Sequence, residues 1–344
     1  MRLYRSILKL RDPFLRSLNT RALPLLSDPL NLSTTKKIRD THSKFEKPEI
    51  LSFDVFGTLY SPKRSVAHLY HEIASQEFGI SKSLDSIEQD FPTVFNELQN
   101  RYPNYGKYDE NINSCDEWWL EVIVKLFEIP HYLKDKKSAD FCQRVLDHFA
   151  EGDAYALYDD VIPVLTELTR NGIKLIISSN SDLRMRKVVK SLGLSEFFLP
   201  DDIYLSYELG VSKPDKTFFD TVIDHCALSG SIRNVSLKPD LLEKCWHIGD
   251  SYSKDFLGAI KAGWNGVYLD RERESALLSP NSQKAGQNHN YSGHMSQNST
   301  KDIQLDDLVL LSNNRAVAVD LFQLLTMFDF DPSQPSKPGN YNDI

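Results

Sequence analysis

A chain of 344 residues with 41% hydrophobic and 26% charged content is long enough to bury a sizeable core. Its net charge of -8, with no sustained basic stripe in the folded region, argues against a nucleic-acid surface. Four scattered cysteines (Cys115, Cys142, Cys226, Cys245) contain no Cys-x-x-Cys pair, which excludes the usual zinc spacings and fits buried thiols in a reducing compartment; no apolar run is long enough to span a bilayer.

The first 21 residues carry Arg2, Arg5, Arg11, Arg16 and Arg21 and few acids. Wound as a helix, Leu3, Ile7 and Leu10 share one stripe, while Arg2, Arg5 and Lys9 share the other side. That composition is the one expected of a mitochondrial transit peptide. A solvated basic tail on a cytoplasmic or nuclear chain is the alternative. Residues 22–47 are polar and turn-rich, so residues 1–47 read as a transit peptide and linker.

Ile50-Leu51-Ser52-Phe53 is a short apolar run ending at Asp54, and Gly57-Thr58 opens a tight turn just after it. Such a run is the pattern of a buried strand in a parallel sheet, whose ligand sites lie beyond the C-terminal ends of the strands. A buried carboxylate there must be paired, metal-bound or protonated. The plainer alternative is an Asp that accepts turn or cap hydrogen bonds.

From about Arg64 to Phe149 the pattern is helical. Val66, Leu69, Tyr70 and Ile73 recur at intervals of three and four, as do Trp118, Val122, Ile123 and Leu126. Pro103-Asn104-Tyr105-Gly106 marks a turn between two helices, and Trp118-Trp119 reads as core. The block reads as a helical insertion after the first strand, able to act as a lid.

Strand and helix then alternate. A helical face through Val161, Val164, Leu165 and Leu168 stops at Asn171-Gly172. Lys174 to Ser179 is a buried strand followed by Asn180, a helix runs through Met185, Val188 and Val189, and strands recur at Ile203–Leu205, Trp246–Ile248 and Val267–Leu269. Units of this length predict an α/β, doubly wound, Rossmann-like parallel sheet. Residues 275–301 are poor in apolar side chains and read as a disordered loop holding His289 and His294; residues 331–344 read as a disordered tail. Between them a last strand or turn over Ile303–Leu311 and a helix over Val317–Phe328 are expected.

Each strand end offers a polar group of a definite kind: Asp54, Ser179-Asn180, Lys213-Pro214, and Gly249-Asp250 with Asp255 five residues on. In this order, over roughly residues 48–272, the set resembles the haloacid dehalogenase-like hydrolase superfamily. Pro103-Asn104-Tyr105-Gly106 followed by Trp118-Trp119-Leu120 looks like the subgroup named for haloacid dehalogenase-like hydrolase domain-containing protein 3. The resemblance implies a core over 48–62 and 155–330 with a helical cap over 63–154.

It also implies roles. Asp54 would be a nucleophile that forms an aspartyl-phosphate. Mg²⁺ would be held by Asp54, the Phe56 main-chain carbonyl and Asp250, with Asp255 holding a metal-bound water or orienting Lys213. Ser179, with Asn180 beside it in the same motif, would bond a phosphoryl oxygen, and Lys213 would neutralise its charge. The expected partner is a small phosphorylated metabolite, with no nucleic acid and no membrane span.

One position departs from the pattern. Phosphatases of the family carry a general acid two residues after the nucleophile, where this chain has Phe56. True 2-haloacid dehalogenases show an aromatic there, as in Asp54-Val55-Phe56-Gly57-Thr58, yet lack the Gly-Asp-x-x-x-x-Asp array kept at 249–255. Three readings stay open: a Mg²⁺-dependent phosphate hydrolase that borrows an acid such as Asp182 or has a good leaving group, a carbon–halogen hydrolase, and a core that binds without turnover.

Overall fold

The computed structural model describes residues 44–129, 135–228, 241–275, 308–312 and 314–330. The N-terminal segment expected to direct targeting, His289, His294 and the tail lie outside the described residues. Strand β1 (Ile50–Phe53) is buried at all four positions. A short two-stranded sheet follows, β2 (Tyr60–Pro62) pairing antiparallel with β3 (Tyr155–Leu157). The core strands are β4 (Lys174–Ser179), β5 (Ile203–Leu205), β6 (Cys245–Gly249) and β7 (Asn265–Leu269), with β8 (Val309–Ser312) and β9 (Arg315–Ala318) near the C-terminus.

The strand order is β5-β4-β1-β6-β7-β9-β8, six strands parallel and β8 antiparallel at the edge. Ser52 faces His247 across the β1–β6 pair, and Ile177 faces Ile203 across β4–β5. Strands buried on both faces need continuous apolar runs, and β1, β5, β6 and β7 are buried at every position. The fold is α/β, a Rossmann-like parallel sheet flanked by helices.

Between β2 and β3 the longer helices among the described residues are α1 (Val66–Glu72), α2 (Leu84–Arg101), α3 (Cys115–Leu126) and α4 (Lys136–Ala150). Their starts are written in the sequence. Ser83 Oγ accepts the Ser86 N–H, Ser114 Oγ accepts the Glu117 N–H, and the Asp135 carboxylate accepts the N–H groups of Lys137 and Ser138. One face of α2 buries Ile87, Phe91, Val94 and Leu98 at helical spacing. They join Trp118, Val122, Phe141 and Val145 in one apolar cluster of the insertion.

By contact the chain divides into two compact units. One comprises Val55–Tyr158 and Ile177–Val222; the other comprises 44–54, Asp159–Ile176 and the described residues from Ile223 onward. In the second, α5 (Val161–Arg170) ends at Asn171-Gly172 as the sequence predicts. The Arg271 guanidinium donates to both oxygens of Asp160 at 2.8 and 3.0 Å, and Asp160 Oδ2 also accepts the Leu321 N–H. Among the described residues no helix is long and apolar enough to cross a membrane.

The C-terminal reading needs correction. Arg315–Ala318 is a strand, parallel to β7 with Tyr268 facing Val317, and the helix covers only Phe322–Met327. The apolar run continues through Leu321, Leu324 and Leu325 and mimics one long helix. The edge of β7 decides otherwise, because it offers backbone partners to Ala316-Val317-Ala318, all buried, and β-branched Val317 suits a strand.

Candidate functional site

The second unit carries a cluster of carboxylates. The β1 ladder runs one residue past Phe53, since the Asp54 N–H donates to the Ile248 carbonyl at 2.9 Å. That bond sets Asp54 beside the end of β6, where Gly249 leads into Asp250. After Ser251 the chain enters a π-helical run, Tyr252–Leu257, with Ser251 Oγ accepting the Lys254 N–H as its cap. Asp255 therefore turns back toward the strand end. One carboxylate oxygen from each of Asp54, Asp250 and Asp255 lies within 4.8 Å of the other two. Asp54 and Asp255 are buried and Asp250 is half-buried.

Asp255 is fixed from two sides. Its Oδ2 accepts the Ser251 N–H at 2.9 Å, and its Oδ1 lies 3.1 Å from His247 Nε2. The carboxylate packs so closely on β6 that a Cβ at position 249 would sit 2.3 Å from Asp255 Cγ. Only glycine leaves that space. The donor set is all oxygen and all anionic, the chemistry of a hard divalent cation such as Mg²⁺. The residues present fit that ion.

The loop after Asp54 belongs to the first unit. Gly57 takes φ 81°, a conformation costly for other residues, and the Val55 carbonyl accepts the N–H groups of Thr58, Leu59 and Tyr60. Phe56 is half-buried with its ring edge-on to Tyr60 at 6.2 Å. An aromatic ring supplies neither a proton nor a base.

The same unit gathers the other predicted polar residues. Ser179 ends β4, buried, with its Oγ 2.9 Å from Ser181 Oγ. Asn180 Nδ2 donates to the Lys213 carbonyl and Asn180 Oδ1 accepts the Lys213 N–H, both at 2.8 Å. The buried Lys213 Nζ donates to the Ser178 carbonyl at 2.7 Å. Ser179, Asn180 and Lys213 thus form one assembly, in which Asn180 holds the lysine loop.

Helical-insertion residues reach this assembly. Tyr105 Oη donates to the Asn180 carbonyl at 2.9 Å, and Asn104 Nδ2 to the Ser206 carbonyl at 2.7 Å. Both residues take left-handed backbone angles, φ 58° and 50°, which aim their side chains this way. The tryptophan pair divides. Trp118 is core, with Nε1 donating to the Tyr102 carbonyl, while Trp119 Nε1 donates to Asp182 Oδ2 at 2.8 Å.

Asp182 is no general acid. Burial would raise its carboxyl, but the Arg184 guanidinium, donating to both oxygens at 2.9 and 2.6 Å, outweighs that and holds it below the usual carboxylate range. The sequence reading of Asp182 as a borrowed acid is therefore corrected: the residue stays ionised at neutral pH. Arg184 also lies over the Trp119 ring at 4.8 Å. Sequence reasoning passed over His247, Ser52, Tyr105 and Arg184. For the first two a signal existed, since each is polar within a strand otherwise fit for full burial.

Strand-end carboxylates on a parallel α/β sheet, with a helical insertion after the first strand, define a hydrolase class. The chain belongs to the haloacid dehalogenase-like hydrolase family, whose sequence model matches residues 49–263. It is 34% identical to Uncharacterized protein YMR130W of Saccharomyces cerevisiae, over 68% of this chain and 75% of that protein. It is also similar to haloacid dehalogenase-like hydrolase domain-containing protein 3 of Homo sapiens, 25% identical over 62% of this chain and 78% of that one, in line with the subgroup resemblance. A 2-haloacid dehalogenase of Pseudomonas syringae aligns at TM-score 0.49 and 16% identity, over 81% of this chain and 97% of its own. A likeness that remote carries no argument about activity.

Proposed function

We propose that this chain is a Mg²⁺-dependent hydrolase of a small phosphorylated metabolite, with Asp54 as nucleophile. The observation that carries the reading is the gathering of Asp54, Asp250 and Asp255 within 4.8 Å. Two like charges at that distance repel by roughly 3 kcal/mol at an effective dielectric of about 20. A site that accumulates such repulsion is built for a cation. Bound Mg²⁺ would supply the positive charge that lets a carboxylate approach a phosphate dianion.

Asp54 would then attack phosphorus, its Oδ–P bond forming as the bond to the leaving oxygen breaks, and water would later cleave the aspartyl-phosphate. By family resemblance, the Ser179 hydroxyl would donate to a phosphoryl oxygen and the Lys213 ammonium would balance its charge. With Phe56 in place of an acid and Asp182 held ionised, neither can protonate the leaving group. That favours a leaving group that departs as a stable anion, as from an acyl or aryl phosphate. A Mg²⁺-supplemented screen over acyl, aryl and alkyl phosphates, with Asp54→Asn as blank, tests it. Turnover lost on chelation and in the blank is expected; turnover equal in both overturns the reading.

Phe56 also supports a second reading, a core that binds phosphate and cation without turnover. Then beryllofluoride with Mg²⁺ raises the thermal midpoint while hydrolysis of every screened substrate stays at background. Mitochondrial delivery is a separate proposal, resting on the five arginines of the first 21 residues. Residues 1–45 fused to a fluorescent reporter should reach mitochondria; a diffuse cytosolic signal counts against it.

A further inference from the structure

Ser52, His247 and Asp255 form a line of polar side chains inside an apolar sheet. Ser52 Oγ lies 2.9 Å from His247 Nδ1, and His247 Nε2 lies 3.1 Å from Asp255 Oδ1. All three are buried, Ser52 and His247 with no exposure at all. The residue types are those of a nucleophilic triad, but a serine closed to solvent on a core strand meets no substrate. The line must act inward.

We propose that His247 is a positioning residue for the divalent cation, orienting Asp255, and that Ser52 sets the tautomer in which it does so. The proposal rests on the reading of Asp54, Asp250 and Asp255 as a cation site. The geometry follows from strand pairing. Ser52 and His247 are register partners on β1 and β6, and side chains two apart on a strand share a face. Ser52 therefore shares its face with position 54, and His247 shares its face with Gly249, the residue whose missing Cβ admits the Asp255 carboxylate. From His247 the imidazole reaches that carboxylate along the sheet surface.

A neutral imidazole has one N–H and one lone pair. In that neutral ring, an Nε2 that faces a carboxylate carries the proton and Nδ1 accepts. Ser52 supplies the hydroxyl that donates to it. The opposite tautomer sets a lone pair against a carboxylate oxygen and releases Asp255 from its orientation. With Oδ1 held by His247 and Oδ2 by the Ser251 N–H, the Asp255 carboxylate is kept where one of its oxygens lies within 4.8 Å of oxygens of Asp54 and Asp250. Partners of this kind, one step removed from the ion, typically change metal affinity by about 10–100-fold.

The test follows the thermal midpoint of the full chain against MgCl₂ at constant ionic strength. The metal-free midpoint reports folding, and its rise with Mg²⁺ reports affinity. Four chains are compared: wild type, His247→Gln, His247→Leu and Ser52→Ala. Gln places an amide N–H near the position of Nε2, so His247→Gln should keep Mg²⁺ affinity within about threefold. His247→Leu should lose about 10–100-fold, and Ser52→Ala, which touches no ligand, at least about tenfold.

Wild-type Mg²⁺ affinity in Ser52→Ala overturns the proposal, as does a loss in His247→Gln equal to that in His247→Leu, which would reduce the histidine to packing. If His247→Leu does not fold, the contrast between His247→Gln and Ser52→Ala decides. A wild-type chain whose midpoint ignores Mg²⁺ overturns the cation reading itself, a result distinct from one in which wild type responds and the variants match it.

Discussion

Asn180 brackets the peptide of Lys213, donating to its carbonyl through Nδ2 and accepting its N–H through Oδ1, each at 2.8 Å. Both ends of the amide are thereby engaged on the backbone of one residue. Asn180, grouped with the catalytic set on sequence grounds, holds the backbone of Lys213. Tyr105 Oη grips the Asn180 carbonyl, so the helical insertion helps to hold the same loop.

Asn180→Ala removes both bonds and leaves two backbone groups of Lys213 to find other partners. Each bond contributes about 1 kcal/mol net, and stranding its partner costs up to about 3. Turnover on the best substrate from the phosphate screen should fall about 10–100-fold. Because Asn180 holds the backbone of Lys213, the double variant with Lys213→Met should be no slower than Lys213→Met alone. Losses that multiply, measured as kcat/KM, would mean that the asparagine has a role of its own.

Arg184→Met leaves the buried Asp182 carboxylate without its counter-ion, a change that typically costs about 3–5 kcal/mol. The pH dependence gives the sign. In the wild type the folded-state value lies below the unfolded one, so the stability it contributes is present above about pH 4 and is lost as pH falls through the depressed folded value. In the variant burial is opposed only by the Trp119 indole and the residue-184 backbone N–H, and the carboxyl takes up a proton more readily. The stability gap between the two, read from urea unfolding, should therefore shrink from pH 7 to pH 5. A gap constant across that range would count against the ion pair as its cause.

The strand ends were legible because β1, β4 and β6 are apolar runs that stop at Asp54, at Ser179-Asn180 and at Gly249-Asp250; burial and chemistry leave the same mark there. The insertion was legible too, since α2 and α3 bury apolar residues at regular spacing behind serine caps. Val317 was misread because Ala316 to Val319 is too short to show a period, and its β7 partner Tyr268 is distant in sequence. His247 was passed over for a related reason. Its neighbours Trp246 and Ile248 define a buried strand, while the partners that make it useful, Ser52 and Asp255, come from other elements. The inactivity of Asp182 as an acid depends on an arginine two residues on, whose pairing geometry no spacing rule supplies.

Phe56→Asp restores a carboxyl where the family's phosphatases keep one. The ring it removes lies edge-on to Tyr60, a contact that contributes about 1 kcal/mol. A positioned general acid contributes about 10²–10⁴ in rate. The variant should therefore gain at least about 10² in kcat, most on alkyl phosphates, whose leaving groups need the proton. Aryl phosphates should gain least. No gain on any class would show that the site is impaired at another position as well.

Gly249→Ala tests the close packing of Asp255 most directly. The new methyl would lie 2.3 Å from Asp255 Cγ and 2.4 Å from Oδ2, so the carboxylate must leave its place. It cannot do so without stretching the bond from the Ser251 N–H and the contact with His247 Nε2. Overpacking of this kind costs about 1–3 kcal/mol, and loss of the carboxylate's orientation should weaken Mg²⁺ binding by about tenfold or more. Gly266→Ala is the matched control. There the methyl meets the apolar Phe256 Cδ2 and Ile260 Cδ1 at 3.1 and 3.3 Å, a tight contact on the adjacent strand that involves no carboxylate. Both variants should lower the metal-free thermal midpoint, but only Gly249→Ala should flatten its rise with MgCl₂. Equal responses to Mg²⁺ in the two would show that crowding β6 and β7 matters to the fold alone, and that the glycine before Asp250 does not serve the cation.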